Sequence, residues 1–358
     1  RWRAPQVPGL PPLASGIVGY LGWDTVRQFE RLPNGPAAGP GLPSQSLSFV
    51  SELVVIAHRE GSVVLLANVL NDAALSGSAG SAVETAKQYI VDGDIFQVVP
   101  SQRFDQPCTA EPLDVYRVLR HLNPSPYLYL LQLEDRDGRP FVVVGSSPEA
   151  LVTVQESGHV MTHPIAGSRP RGATVEEDQQ HARDLLADEK ERAEHLMLVD
   201  LARNALLRVC EAASVEVTEF MRIERFSHIM HISSSVEGRL RVGNNAVAAL
   251  RATFPAGTLS GAPKPRALEI IDELEPVQRG VYGGVVGYFG LGGAADLAIA
   301  IRTATIKDGV AMVQAGAGIV ADSVPETEDA ECRSKAAAPL RAVAIANTLS
   351  RLGGHAER

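Results

Sequence analysis

The chain has 358 residues, a hydrophobic fraction of 45% and a formal net charge of −9, with a pI near 5.5. This length and apolar content are enough for a sizeable core, whereas the acidic balance argues against nucleic acid or an anionic membrane surface as a partner, since both bind basic faces. No apolar run reaches the roughly 18–20 residues of a membrane-spanning helix, and three widely spaced cysteines indicate reduced thiols in a cytoplasmic protein.

The first part of the chain predicts loops and strands. Residues 1–45 are rich in Pro and Gly, and residues 47–58 and 62–70 are strand-like runs joined by a turn at Glu60 and Gly61. The following segment, 71–81, has the small and polar composition of a linker.

A helix and three strands are predicted next. Residues 82–93 have the periodicity of an amphipathic helix that ends at Gly93. Residues 94–104 are strand-like, and Pro100 within them indicates a sheet edge or a bulge. Residues 127–135 and 140–147 predict a hairpin.

The middle of the chain predicts a further hairpin and then helices. Residues 151–165 alternate around a Ser-Gly turn, as a hairpin does. Residues 174–209 are charged and predict one long helix, and shorter helices are predicted at 246–253 and 263–274. The apolar stripe of the long helix is predicted to contain Leu185, Leu196, Val199, Ala202 and Leu206.

The end of the chain predicts a hairpin over 297–320 and a helix over 328–350. Strand alternation places Arg302 between Ala300 and Ala304 on one face, with room beside the guanidinium for a carboxylate; a solvated strand face is the other interpretation. Several hairpins with segregated helices predict an α+β architecture.

A small-residue loop at Ala315–Gly318 is followed closely by acidic residues. Exposed backbone amides at such a loop suit an anion, which carboxylates would repel unless a cation lay between them. Two helical i,i+3 pairs could supply that cation's ligands, because Mg²⁺ prefers oxygen donors. The pairs are Glu191 with Glu194 and Glu328 with Glu331. Taken alone, two solvated acidic helix faces are the simpler interpretation.

Two further sites have the composition of a ligand site. The stretch HIMHISSSVEG contains His228 and His231, although a histidine in a strand is more often structural than catalytic. Residues 257–261 form a Gly- and hydroxyl-containing loop before Pro263, which is predicted to open a helix, and such loops bind anions.

The chain also contains many motifs in the order seen in chorismate-utilising enzymes, and it resembles anthranilate synthase component I within that family. The resemblance runs from about residue 81 to residue 349. The motifs that support it are GDIFQVVPSQRF, NPSPYLYLLQ, GSSPE, HPIAGSRPRG, EKERAEHLMLVDLARN, FSHIMHISSSVEG, GTLSGAPKPRA, GVYGGVVGYF, IAIRTATI and QAGAGIVADSVPETEDAE.

This resemblance implies two packed β-sheets flanked by helices, with the active site in a cleft between the layers. It implies a catalytic region over residues 81–350, preceded by the remnant of an N-terminal region over 1–80 on the same globule and followed by a tail over 351–358. The implied reaction converts chorismate and ammonia into anthranilate and pyruvate with Mg²⁺, which is the first step of tryptophan biosynthesis.

The resemblance also assigns residues to the site, by their positions in the matching motifs. His231 and Glu149 match catalytic positions, and Glu191, Glu194, Glu328 and Glu331 match the metal ligands. The matching substrate-binding positions are Thr258, Tyr282, Arg302, Ala315, Gly316, Gly318, Lys335 and Ala166.

Ala166 separates this chain from its relatives within the family. In aminodeoxychorismate, isochorismate and salicylate synthases the sequence at this position resembles PIKG or otherwise offers a lysine. In this chain it is PIAG. An alanine leaves C2 of chorismate open to ammonia itself. An inactive regulatory homologue is the non-enzymatic alternative, but it predicts a broken acid set or a missing His231.

Partners follow from the same resemblance. The chain has no recognisable glutaminase constellation, so a glutamine amidotransferase subunit is expected, and an oligomer with it. The family's tryptophan feedback region corresponds to Asn123, Pro124, Ser125, Pro126 and Tyr127, but the upstream feedback motif is not found. Ala205 stands where the family usually has Asp.

Overall fold

The structure is a computed structural model that describes residues 13, 16–33, 35–37, 41–49, 52–57, 62–67, 82–225 and 229–349. The predicted linker at 71–81, His228 and the predicted tail at 351–358 lie outside these residues. The division of the chain at residue 80 stays a prediction.

The described residues form eighteen strands and seven α-helices. The strands are β1 (Gly16–Leu21), β2 (Gln45–Phe49), β3 (Glu52–Ala57), β4 (Ser62–Ala67), β5 (Gln97–Val98), β6 (Ser101–Pro107), β7 (Tyr127–Glu134), β8 (Pro140–Ser147), β9 (Ala150–Val154), β10 (His159–Thr162), β11 (Ile165–Pro170), β12 (Glu216–Arg225), β13 (Ile229–Arg239), β14 (Gly261–Ala262), β15 (Val285–Gly290), β16 (Ala295–Ile299), β17 (Thr303–Lys307) and β18 (Val310–Gly316). The helices are α1 (Ala82–Val91), α2 (Pro112–Leu122), α3 (Val175–Ala187), α4 (Glu189–Leu207), α5 (Ala246–Thr253), α6 (Lys264–Leu274) and α7 (Pro325–Ala346).

Two antiparallel sheets dominate the fold. The larger has nine strands in the order β11-β13-β10-β9-β16-β15-β1-β2, with β12 paired to β13. The smaller has five strands in the order β6-β18-β17-β8-β7. Hairpins connect β7 to β8, β9 to β10 and β17 to β18, as the turn residues predicted.

The two sheets pack face to face through an apolar cluster. Tyr20 and Val286 from the large sheet meet Leu133, Phe141 and Val143 from the small one, and all five are buried. Helices cover the remaining faces, because α4, α5 and α6 contribute to the core of the large sheet while α2 and α7 pack on the small one. The predicted α+β class and the two packed sheets are therefore confirmed.

The predicted long helix over 174–209 is wrong in one respect, since it is two helices that meet at Asp188. The Asp188 carboxylate accepts hydrogen bonds from the amides of Lys190 and Glu191, which is the geometry of an N-cap. Leu196, which belongs to the predicted apolar stripe, is 49% exposed, so the stripe does not pack against the core at this position.

The predicted continuous strand through Arg302 is also wrong. Strand β16 ends at Ile299 in the large sheet, and β17 begins at Thr303 in the small sheet. Arg302 lies in the corner between them with a left-handed φ of 51°. Alternation along one strand therefore does not explain its side-chain direction, which the crossing from sheet to sheet sets.

Candidate active site

One cavity of about 320 Å³ contacts both sheets, helices α4 and α7, and the loop before β14. All fourteen residues predicted as catalytic, substrate-binding or metal-binding line it, although their separate roles stay predictions. They are Glu149, Ala166, Glu191, Glu194, His231, Thr258, Tyr282, Arg302, Ala315, Gly316, Gly318, Glu328, Glu331 and Lys335.

Glu149 lies in the short connection between β8 and β9. Its Oε1 accepts a hydrogen bond of 3.2 Å from the Thr258 hydroxyl. Burial raises the pKa of the Glu149 carboxyl to about 7, although Thr258 and the more distant charges of Lys335 and Arg302 act in the opposite direction. A carboxyl with this pKa can both donate and accept a proton near neutral pH.

His231 lies on β13, where its Nδ1 is 2.8 Å from the carbonyl oxygen of Gly167. A carbonyl only accepts, so the proton is on Nδ1, and Nε2 is the basic nitrogen of the neutral ring. Burial is the main reason that the pKa of His231 is lowered, and the charges of Arg302 and Lys335 act in the same direction. The imidazole is therefore neutral near pH 7.

Arg302 offers the cavity a guanidinium that has no hydrogen bond or ion pair with any described residue. Its pKa is lowered, chiefly because the group is desolvated. Tyr282, which is 7% exposed, lines the same space, and burial raises the pKa of its hydroxyl, so that it remains a hydrogen-bond donor. A desolvated cation beside a phenol is suited to bind a carboxylate.

The loop after β18 differs from the expectation of free backbone amides. The Ala317 amide donates to the carbonyl of Pro100 at 3.3 Å, so that amide is already used. A Cβ at Gly316 would lie 2.6 Å from the Pro100 oxygen, and one at Gly318 would lie 2.7 Å from the Gln97 amide nitrogen. Gly316 is therefore required by close packing against the backbone, whereas the Gln97 amide near Gly318 ends a flexible side chain that can shift.

Three of the four predicted metal ligands contact a cationic or amide group. Glu191 pairs with Arg169 at 3.2 Å, Glu331 pairs with Lys335 at 2.6 Å, and Glu194 accepts from Gln97 at 2.8 Å. Burial raises the pKa of Glu191, and the Glu194 charge adds to the effect. Among the described residues, no group of three or more acidic, histidine or cysteine side chains is already arranged around a metal position.

Sequence reasoning missed several residues of the site. Gln97 and Lys190 line the cavity, and Gln97 lies within the GDIFQVVP motif that could have indicated it. His195, the residue after Glu194, does not line the cavity; it is fully buried, with Nε2 2.7 Å from the Ser234 hydroxyl.

The predicted feedback segment does not line this cavity. Asn123 follows α2, and its side-chain amide donates to the Ser146 hydroxyl at 3.2 Å. Tyr127 is the first residue of β7, and its hydroxyl donates to the Asp296 carboxylate at 2.9 Å.

Comparisons with known proteins agree with this site. The family described as chorismate binding enzyme matches residues 80–341. Anthranilate synthase component 1 from Arthrobacter globiformis is 51% identical over an alignment of 396 residues, which covers 97% of this chain and 74% of the relative. The same component from Mycolicibacterium smegmatis is 50% identical over 96% of this chain and 74% of its own length. The chain belongs to the anthranilate synthase component 1 family.

Solved structures agree with membership of the anthranilate synthase component 1 family. The crystal structure of component I from Streptococcus pneumoniae TIGR4 superposes with a TM-score of 0.83 at 37% identity, covering 94% of this chain and 83% of that one. The menaquinone-specific isochorismate synthase from Escherichia coli has a TM-score of 0.67 at 20% identity, covering 93% and 89%, and shares the fold alone.

Members of this family are enzymes, and the chain is accordingly a chorismate-acting enzyme, the large subunit of an anthranilate synthase of tryptophan biosynthesis. The alignment with the Arthrobacter relative is longer than this chain, so the relative contains internal residues that this chain lacks. No helix in the described part of the chain is long and apolar enough to cross a membrane.

Proposed function

We propose that the cavity converts chorismate and ammonia into anthranilate and pyruvate with His231 and Glu149 as the proton carriers. The supporting observation is that three groups share one cavity: a guanidinium without a partner among the described residues, a neutral imidazole, and a carboxyl with a pKa of about 7. The cation suits a carboxylate of the substrate, and the imidazole and the carboxyl suit a reaction that transfers protons near neutral pH.

The chemistry has two steps. Ammonia adds at C2 of chorismate while the C4 hydroxyl leaves, and pyruvate is then eliminated as the C2 proton is removed and the ring becomes aromatic. The first step needs a proton donor at the leaving hydroxyl and the second needs an acceptor at C2. Glu149 can perform either task, and His231 can accept through Nε2. The division of the two steps between them stays open.

Substrate orientation is assigned to the charged groups of the cavity. Arg302 and Tyr282 would bind the enolpyruvyl carboxylate, because the guanidinium has no other partner among the described residues and the phenol is a donor. Thr258 orients the Glu149 carboxyl through their hydrogen bond.

Mg²⁺ is the proposed cofactor, with Glu191, Glu194, Glu328 and Glu331 as the residues that would hold it. Their carboxylates fit in chemistry, because Mg²⁺ prefers hard oxygen donors and keeps part of its shell for water and substrate oxygens. Arg169, Gln97 and Lys335 now contact three of them, and these contacts would loosen when the ion binds. A bound ion would supply positive charge for the ring carboxylate.

The name component 1 implies a second component, which we propose to be a glutamine amidotransferase that supplies ammonia. A cytoplasmic location, assembly into an oligomer and feedback by tryptophan through Asn123–Tyr127 belong to the same proposal for the full-length protein.

The test is anthranilate fluorescence after mixing the purified chain with chorismate, ammonium and Mg²⁺, with EDTA as control. A signal that EDTA abolishes is expected. Consumption of chorismate without anthranilate would instead indicate aminodeoxychorismate, isochorismate or salicylate as product. No consumption by the chain even with its amidotransferase component would favour a binding homologue.

Two variants test the residue roles. His231→Ala is expected to lose pyruvate release with the fold intact, whereas His159→Ala, at a partly exposed histidine outside the cavity, is expected to keep it. Ala166→Lys is expected to suppress amination and permit water addition. Wild-type-like turnover in His231→Ala would remove that residue from the mechanism, and unchanged anthranilate output from Ala166→Lys would show that position 166 is not decisive.

A further inference from the structure

Three residues lie in one row across the small sheet. Gly145 on β8 pairs with Tyr129 on β7 at one side and with Thr303 on β17 at the other. A Cβ on Gly145 would overlap the ring of Tyr129. The absence of a side chain in the middle of the row therefore lets the tyrosine ring reach across to Thr303.

Two hydroxyl groups of this row form a chain of hydrogen bonds that leads to the corner before β17, where Arg302 lies. The Thr303 hydroxyl donates to the carbonyl of Ile301 at 2.8 Å, and its oxygen is 2.6 Å from the Tyr129 hydroxyl. Because the threonine proton is already donated, Tyr129 is the donor in the second bond. These bonds join the two residues that flank Arg302, and they anchor this corner to the sheet.

The corner needs such an anchor because its backbone is strained. Arg302 has a φ of 51°, which side chains with a Cβ rarely adopt unless surrounding contacts impose it. The next residue of β8 after Gly145 adds a backbone bond, because the Ser146 amide donates to the Arg302 carbonyl at 3.2 Å. The corner is thus held by side-chain and backbone bonds, while the guanidinium has no bond to a described residue that could orient it.

We propose that Tyr129 and Thr303 are positioning residues that fix the left-handed corner at Arg302 and so aim its guanidinium at the carboxylate of the substrate. The inference rests on the proposed binding of chorismate by Arg302. Its physical basis is that a long side chain with no partner of its own is oriented only by its backbone, so that loosening the corner spreads the guanidinium over positions that do not meet the carboxylate.

The first experiment removes the anchor without changing the shape of the side chain. Thr303→Val is expected to raise both the Kd and the KM for chorismate about tenfold, with kcat within about twofold, because an interaction that orients a binding group acts on ground state and transition state alike. Thr303→Ser, which keeps the hydroxyl, is expected to restore both values. Tyr129→Phe is expected to give a smaller increase of the same kind.

Thr305→Val is the matched control. Thr305 lies two residues further along the same face of β17, is 6% exposed like Thr303, and has no side-chain hydrogen bond to a described residue. Thr305→Val is expected to leave Kd and KM unchanged, although it replaces a buried threonine of β17 by valine just as Thr303→Val does. A wild-type Kd in Thr303→Val, or an equal increase in Thr305→Val, would overturn the proposal.

A double-mutant cycle separates positioning from loss of stability. In an Arg302→Ala background, Thr303→Val is expected to weaken chorismate binding much less than it does in the wild type, because the side chain that it positions has gone. A full, additive loss in that background would overturn the proposal. Equilibrium binding of chorismate is measured without turnover. A wild-type chain that binds chorismate without forming anthranilate would contradict the proposed reaction, and the Kd values of the variants would still test this inference. A wild-type chain that binds no chorismate would contradict both.

Discussion

The Thr258 hydroxyl donates a 3.2 Å hydrogen bond to the Glu149 carboxylate, although 109 residues separate the two in sequence. Thr258 lies in a short 3-10 turn at Gly257–Leu259, and Glu149 follows β8. The bond favours the ionised carboxylate, whereas burial favours the neutral acid, and burial has the larger effect on the pKa. The site therefore contains a carboxyl that stays half-protonated near neutral pH.

This carboxyl should make folding stability depend on pH. The pKa of Glu149 is about 7 in the folded chain against 4.5 for the ordinary group, so the folded state binds the extra proton between these values and stability falls as pH rises through that range. Glu149→Gln is expected to be more stable than the wild type by about 3 kcal/mol at pH 7.5 and nearly equally stable near pH 4.5. Urea unfolding at both pH values measures this, and a constant difference between them would contradict it.

Arg302 should dominate the affinity for the substrate carboxylate. Arg302→Ala is expected to lower kcat/KM roughly 10- to 100-fold, which corresponds to about 1.5–3 kcal/mol for a charged hydrogen bond. Arg302→Lys keeps the charge but loses the planar fork, and is expected to recover only part of the loss. Arg333→Ala, at a 65% exposed arginine of α7 paired with Asp329, is the control for loss of one positive charge. Equal losses in both alanine variants would show a general charge effect.

A buried ion pair lies behind the cavity and contacts the lining residue Val99. Arg279 and Glu275 are 2.6 Å apart with side chains about 1% exposed, and the Arg279 guanidinium lies 4.1 Å from the Trp23 ring centre and also bonds the Val99 carbonyl. Arg279→Met is expected to cost about 3–5 kcal/mol, because it leaves the Glu275 charge buried without its partner.

The matched comparison for this pair is the double variant Arg279→Met with Glu275→Gln, which is expected to recover part of that stability. Urea unfolding of the wild type, of Arg279→Met, of Glu275→Gln and of the double variant gives the coupling energy. Additive losses would contradict the interpretation that the stranded charge is the main cost.

His195 should act in the opposite direction to Glu149. Burial lowers its pKa to about 4 from 6.5, so the unfolded chain binds the extra proton between these values and stability falls as pH falls through that range. His195→Gln is expected to remove this slope, which is at most about 1.4 kcal/mol per pH unit. His159→Gln, at a partly exposed histidine paired with Glu237, is the control. An unchanged slope in His195→Gln would contradict the assignment.

The sequence by itself determined the family, the set of site residues and the main hairpins. Motif order identified fourteen residues that the fold brings to one cavity, although nothing in their spacing states a distance between them. The turn at Asp135–Gly138 predicted its hairpin because its Asp and Gly have local backbone preferences that act within four residues. Such signals survive in the sequence because they do not depend on distant partners.

Only the tertiary structure decided how Arg302 is aimed and which charges are buried. Alternation predicted a continuous strand, but the chain crosses from the large sheet to the small one at Arg302 with a left-handed backbone. The break at Asp188 and the neutral state of His231 likewise follow from particular contacts and burial. Local pattern does not contain this information, because the desolvation of a group and the strain that its backbone tolerates are set by residues that are far away in sequence and adjacent only after folding.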